Sequence, residues 1–207
     1  GAQLVERGKR LLADLDELEA TVAARSAPKG VVRISASTST GQRLLVPLVA
    51  PLMVAHPGLR LELFFTDQIV DLVEDSIDIA IRWGQLPSSD MVARRLGCTR
   101  QVIVAAPDYL ARHGVPQHPK DLADHQRMGW TYPRAIPHWP FRVQGQRMAV
   151  EIGQALRVND GDVLRGLALG GAGLARLSLF HAWEDLQAGR LEVVLVDFNT
   201  GNLEPIH

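Results

Sequence analysis

The sequence predicts an α/β fold resting on parallel sheet, and three observations point that way. Short β-branched or alternating apolar runs at 31–34, 59–65 and 77–81 are separated by helical stretches, and a β-α-β-α-β order closes through right-handed crossovers between parallel strands. The 207 residues, 46% hydrophobic and 22% charged, have the composition of a soluble globular protein and leave room for one compact unit or two small lobes. Breakers at Ala27-Pro28-Lys29-Gly30, His56-Pro57-Gly58 and Gly170, Gly171 and Gly173 fall where this order needs its element boundaries.

Residues 1–27 read as one helix. Leu4, Gly8, Leu11, Leu15, Leu18 and Val22 recur at alternating spacings of four and three, the a/d seam of a coiled coil weakened at Gly8. A dimerisation helix and a surface helix packed on its own domain both satisfy this pattern; the abrupt cut at Pro28 favours a connector. After the strand at 31–34 comes an apolar helix over 41–56. Pro47 and Pro51 each remove a backbone donor there, which predicts a short first turn and a kinked continuation. In 59–65, Leu59, Leu61, Leu63 and Phe65 alternate against Arg60 and Glu62, a strand pattern. A short helix over 69–75 and a strand through Ile77, Ile79 and Ile81 complete this unit.

Further strands are expected at 92–96 and 102–106, then a helix from Pro107 through Arg112. The middle is rich in Pro and Trp, with short strands at 139–143, 147–152 and 155–158. Asn159-Asp160-Gly161-Asp162 caps a helix through Leu169. A strand at 174–177, a helix at 180–187 and a strand at 191–196 follow, and the tail 199–207 reads as unfinished.

The stretch from Pro28 to Gly41 carries the most chemistry. Its strand ends in Ser35, Ser37, Thr38, Ser39 and Thr40, directly before a helix. Free N–H groups and the dipole at a helix start favour negative charge, and hydroxyls there either add donors or cap the helix. An anion cradle and a plain N-cap are both consistent with it. A net charge of -1 argues against nucleic-acid binding by these residues themselves, because neutralising phosphates needs a basic surface. The single cysteine, Cys98, excludes an intramolecular disulfide framework and is expected to be a small buried hydrophobe. The charged, amphipathic N-terminus does not read as a secretory signal. The seven histidines lie in separate segments without zinc-ligand spacing, and there is no G-x-S-x-G elbow or Walker loop, so no catalysis, metal or cofactor is expected.

Many short pieces, each unspecific alone, occur together in one order. They are G-V-V-R-I-S-A-S at 30–37, H-P-G-L-R-L-E-L at 56–63, D-L-V-E-D-S-I-D-I-A-I-R-W-G at 71–84, Ala106-Pro107-Asp108-Tyr109-Leu110, P-K-D-L-A-D-H at 119–125, V-N-D-G-D at 158–162 and G-L-A-L-G-G-A-G-L-A at 166–175. On these the chain resembles the LysR-type transcriptional regulators, bacterial proteins that join a winged helix-turn-helix to an effector-binding domain. The resemblance implies a fold like the type II periplasmic binding proteins: two α/β lobes, each a mainly parallel sheet flanked by helices, preceded by the linker helix. Lobe I then holds 30–104 and 177–207, and lobe II holds 105–176. The hinge falls at Ala105, Ala106, Leu177 and Ser178, and Leu4, Leu11, Leu15, Leu18 and Val22 serve dimerisation.

The same resemblance places a small effector between the lobes. Its expected lining is Ser37, Thr38, Ser39, Thr66, Asp67, Trp83 and Gly84 from lobe I, and Thr131, Tyr132, Asn159 and Asp160 from lobe II. Hydroxyls and helix-start amides suit a carboxylate, while Asp67 and Asp160 oppose a strongly anionic ligand or select an amine or hydroxyl on it. Trp83 either stacks on an aromatic effector or serves as a rim or core residue. Also implied are a cytoplasmic homodimer or homotetramer and promoter DNA bound through a domain not in this chain. The rival reading is a solute-binding protein of a transport system, which shares the fold; the heptad helix argues against it.

Overall fold

In the computed structural model of the chain the described residues are 28–67, 76–84, 92–131 and 137–207. The expected helices over 1–27 and 69–75, and with them Leu4, Leu11, Leu15, Leu18 and Val22, lie outside the described residues, as does Tyr132.

The first half is built on β1 (Gly30–Ala36), flanked by β2 (Leu59–Phe65) and β3 (Ile79–Ile81). Both pairings are parallel, with Gly30 opposite Leu59 and Ile34 opposite Ile79. Between β1 and β2 runs α1, in which Thr38–Thr40, a π-helical stretch Gly41–Leu45 and Val46–Ala55 follow without a break. The kink expected from the prolines takes the form of this wide turn. Pro47 cannot donate to the carbonyl four residues back, and the ladder widens just before it, with the Val46 N–H donating to the Gly41 carbonyl. Gly41 is required at the turn, since a Cβ there would sit 2.5 Å from the Phe65 ring.

The nine-residue β4 (Gly97–Ala105) runs through both halves. Its first residues pair with β11 (Leu203–Ile206); its later ones lie between β9 (Ala175–Ser178) and β10 (Glu192–Val194), and all three partners are antiparallel. The other elements of the second half are α2 (Pro107–His113), a 3-10 turn (Pro119–Asp124), β5 (Gly129–Trp130), the hairpin β6 (His138–Val143) and β7 (Gln146–Glu151), β8 (Arg157–Val158), α3 (Gly161–Leu169) and α4 (Leu179–Gln187). Two apolar clusters form on the two faces of β4. Ile103 and Ala105 face Tyr109, Trp139, Phe141 and Val194, while Val102 and Val104 face Leu164, Leu177, Ala182 and Leu191.

Five expectations change. The segment 92–96 is not a strand; regular pairing begins at Gly97, where Cys98, Thr99 and Arg100 find partners on β11. The unfinished tail contains that partner strand, so β11 closes the return of the chain to the first lobe. The lobe boundary is not at 177. β9 and β10 run in one direction, joined by α4, with the antiparallel β4 between them, so Leu177 and Ser178 pair with Val102 and Gln101 inside the second lobe. Val194 and Leu195 share a core with Tyr109 and Trp139, so the second lobe extends past 195, and Ala105 and Ala106 are buried in it. The same insertion makes the second lobe mixed: among the described residues its parallel strand pairing is β5 with β8. Finally, Cys98 is exposed. It alternates with inward-facing Thr99 along β4, and strand parity outweighs its apolar character.

Candidate functional site: the cleft between the lobes

Ligand sites in open parallel sheets form beyond the carboxyl ends of the strands. β1, β2 and β3 end at Ala36, Phe65 and Ile81, and the turns after them gather Ser37–Ser39, Thr66–Asp67 and Arg82–Gly84. The Thr66 N–H donates to the Ala36 carbonyl at 3.0 Å, which holds the second turn against the first. The N–H and hydroxyl of Thr38 lie near the Asp67 carboxylate and favour its ionised form, while Asp67 itself is exposed to solvent. The helix start therefore faces a carboxylate of the protein's own. Ser37 is buried and makes no side-chain cap to α1.

Arg82 brings a positive charge to this cleft. Its Nη2 donates to Ser35 Oγ at 2.7 Å. Burial lowers its pKa, partly offset by the charge of Asp67. Partial desolvation raises the Asp67 pKa although the residue is exposed; the donors of Thr38 oppose the rise and the negative charge of Asp160 adds to it. Trp83 is 37% exposed and its backbone bridges to Ile206 of β11, while Gly84 takes a φ of +89° that favours glycine.

The second lobe supplies the facing wall. Thr131 follows β5 and donates its N–H to the Val158 carbonyl at 2.8 Å; Asn159 is exposed at the end of β8. Asp160 is the N-cap of α3, its Oδ1 accepting from the Val163 N–H at 2.9 Å. The lobes touch here: a Cβ on Gly161 would lie 2.5 Å from Ser39 Oγ and 2.8 Å from His181 Cε1. Ser39 and the start of α3 are thus in contact, and Asp67 and Asp160 are close enough to interact electrostatically.

Four polar residues at this junction were not foreseen: Arg43, Arg82, Asp162 and His181. Arg43 Nη2 meets Asp162 Oδ1 at 2.8 Å, and His181 Nε2 lies 3.1 Å from the same oxygen. Arg43 stands four residues after Ser39, hence on the same helix face, a signal the sequence did offer. Arg82 adjoins Trp83 in the same turn. Nothing in the sequence ties His181 to Asp162.

A second recess of about 740 Å³ lies between α1 and α4, lined by Leu44, Leu48, Phe180 and Trp183 and floored by Leu203 and Ile206. It is apolar and does not include Ser37–Ser39. Among the described residues no group of three or more His, Cys, Asp or Glu is placed to hold a metal, and no helix is long and apolar enough to cross a membrane.

Residues 25–204 match the family described as LysR substrate binding domain. The HTH-type transcriptional regulator CrgA of Neisseria meningitidis serogroup C is 33% identical over 208 residues, covering 100% of this chain and 69% of that protein. DmlR, an HTH-type transcriptional regulator of Escherichia coli K12, is 28% identical over 202 residues, covering 96% of this chain and 65% of that one. The solved structure of Neisseria meningitidis CrgA superposes with a TM-score of 0.83 at 32% identity, over 100% of this chain and 70% of that chain. Full-length AphB of Vibrio cholerae, a virulence activator, superposes with a TM-score of 0.77 at 27% identity, over 97% of this chain and 71% of that chain. These relatives are regulators, which decides against the transport reading. The chain belongs to the LysR family and is the effector-binding domain of a LysR-type transcriptional regulator.

Proposed function

We propose that the effector of this domain is a small carboxylate or aromatic metabolite held between Ser37–Ser39, Thr66, Arg82, Trp83 and Gly84 on one lobe and Thr131, Asn159 and Asp160 on the other. The observation that supports it most is the helix start facing a carboxylate: Thr38 presents its N–H and hydroxyl toward Asp67, and these are the donors an effector acid needs. An incoming acid competes with the exposed Asp67 side chain for these donors, with Arg82 nearby to balance the charge. A hydrogen bond to a charged group contributes roughly 1.5–3 kcal/mol net. Two or three of them, less ordering costs, correspond to affinities on the order of micromolar to millimolar.

The hinge follows the strands that join the lobes: residues 97–100 of β4 on the way out and 199–203 before β11 on the way back. Binding shifts the angle between lobes only through different affinity for two arrangements. In the full regulator, a cytoplasmic homodimer or homotetramer, that shift re-spaces DNA-binding heads on promoter DNA, and no reaction is catalysed. Calorimetric titration of acetate, succinate and benzoate into the wild-type chain and into Ser37→Ala/Ser39→Ala tests the site. Saturable binding that weakens at least several-fold in the double variant supports the reading; equal affinity in both removes the hydroxyl turn from it.

A further inference from the structure

We infer that Arg43, Asp162 and His181 form a latch that holds the two lobes together before any effector arrives. Arg43 belongs to α1 of the first lobe, while Asp162 stands in the first turn of α3 and His181 on α4, both in the second lobe. Arg43 Nη2 lies 2.8 Å from Asp162 Oδ1, and its Nη1 lies 3.7 Å from Glu184 Oε2. His181 shares the same Asp162 oxygen at 3.1 Å. The site is enclosed: the side chains of Arg43, Asp162 and His181 are 19%, 27% and 4% exposed. Glu184, at 73%, is a solvated accessory. Exposed ion pairs contribute little, but one shielded to this degree and sharing a charge-assisted hydrogen bond is worth more.

The latch is set beside the effector turn. Ser39, one helical turn before Arg43, abuts Gly161, the residue before Asp162. The backbone contact requires a glycine: any Cβ at 161 would strike Ser39 Oγ at 2.5 Å. Contact and ion pair therefore engage together and open together. His181 in turn fixes Asp162 from behind, and α3 is tied to α4 by a second ion pair, Arg165 on the fully buried Asp185, which also binds Arg190 just past the end of α4. Opening of the cleft thus moves α3 and α4 as one body away from α1. In this arrangement the effector adds to a closure that exists without it. The inference rests on the proposed lobe motion, though not on the identity or existence of a carboxylate ligand.

Amide exchange of the ligand-free chain tests it. Arg43→Ala and Asp162→Asn are each expected to speed exchange about tenfold at the α1 start (38–41) and the α3 start (161–163) together, on the scale of one lost charge-assisted bond, with β4 and β9 unchanged. Arg43→Lys, which keeps the charge, is expected to stay within about threefold of wild type on the same scale. Unchanged rates at both starts in both variants overturn the latch, as does faster exchange confined to one lobe or spread across β4 and β9, since that marks general destabilisation. Failure of every acid to bind, with these exchange results intact, would sink the effector reading and leave the latch standing.

Discussion

The second lobe keeps its apolar side chains inside, and the first lobe leaves many of them in view. Trp139, Phe141, Leu122, Leu164 and Leu177 are at most 1% exposed, all in the second lobe. In the first, the Val46–Ala55 stretch of α1 has no buried residue, with Leu48 62% and Val54 84% exposed, and Phe64 on the edge strand β2 is exposed as well. One lobe folds around a double-sided core on β4, while the other presents an apolar helix whose outer face has no cover within the described residues. Hydrophobic residues are thus distributed by two different demands, and stability and surface should respond to mutation in opposite halves.

The largest break in that contrast is expected from Trp139→Ala. It removes a fully buried ring and should cost about 3–5 kcal/mol in chemical denaturation. A loss under about 1 kcal/mol would mean the second core is looser than its packing indicates. Removing Asp185, which has no exposed surface and binds Arg165 and Arg190, leaves two guanidinium groups facing an empty site. Asp185→Ala is expected to cost about 3 kcal/mol, and a neutral result would show that the charges are solvated when unpaired.

pH sharpens the comparison by sign. Burial lowers the pKa of His181 and of His125 from 6.5, the former against the pull of Asp162 and the latter against Asp124 and Asp121. Groups buried neutral bind fewer protons when folded, so their stability is complete above about 6.5 and falls as pH drops below it. Asp162 adds a later loss: burial would raise its pKa, but bonds from Arg43 and His181 hold it below 3.8, so its contribution goes as pH falls through that depressed value. Asp67, in the first lobe, has the opposite sign. Its raised pKa means the folded state holds its proton longer, so it weakens folding as pH rises through 3.8 and above. His181→Asn should flatten the decline below 6.5, whereas Asp67→Asn should stabilise at neutral pH; melting curves across pH check both.

The smallest effects belong to the first lobe's surface. Leu48→Ala and Val54→Ala should each change stability by no more than about 0.5 kcal/mol, because neither side chain leaves a cavity. Asp67→Asn should also strengthen binding of an anionic effector, as the competing charge leaves while the hydroxyl turn remains. Weaker binding of such an acid would show that Asp67 is itself a ligand contact.

Sequence and structure agree best where a pattern is local. The alternation of Leu59 to Phe65, the Asp160 cap on α3 and the hydroxyl turn at Ser37–Ser39 each occupy a few adjacent residues and came out where the pattern put them. The lobe boundary was illegible because β10 is joined to its neighbour β4 across about ninety residues, and no local signal records that Val194 faces Trp139. Cys98 misled because composition predicts burial while strand parity decides it. Arg43, Asp162 and His181 lie on three helices and meet only in the folded chain. The charge of Asp67 opposes anions from the sequence alone, but its approach to Thr38 needs the folded chain.

A backbone NMR titration of the 207-residue chain with the acid that binds it tests the central claim most directly. Shared occupancy of the cleft predicts that amides of Thr38–Thr40 and Asp67 on one lobe and Asp160–Val163 on the other shift together, along one binding curve. Shifts confined to a single lobe, or centred on Leu44, Leu48, Phe180 and Trp183 around the apolar recess, would contradict it.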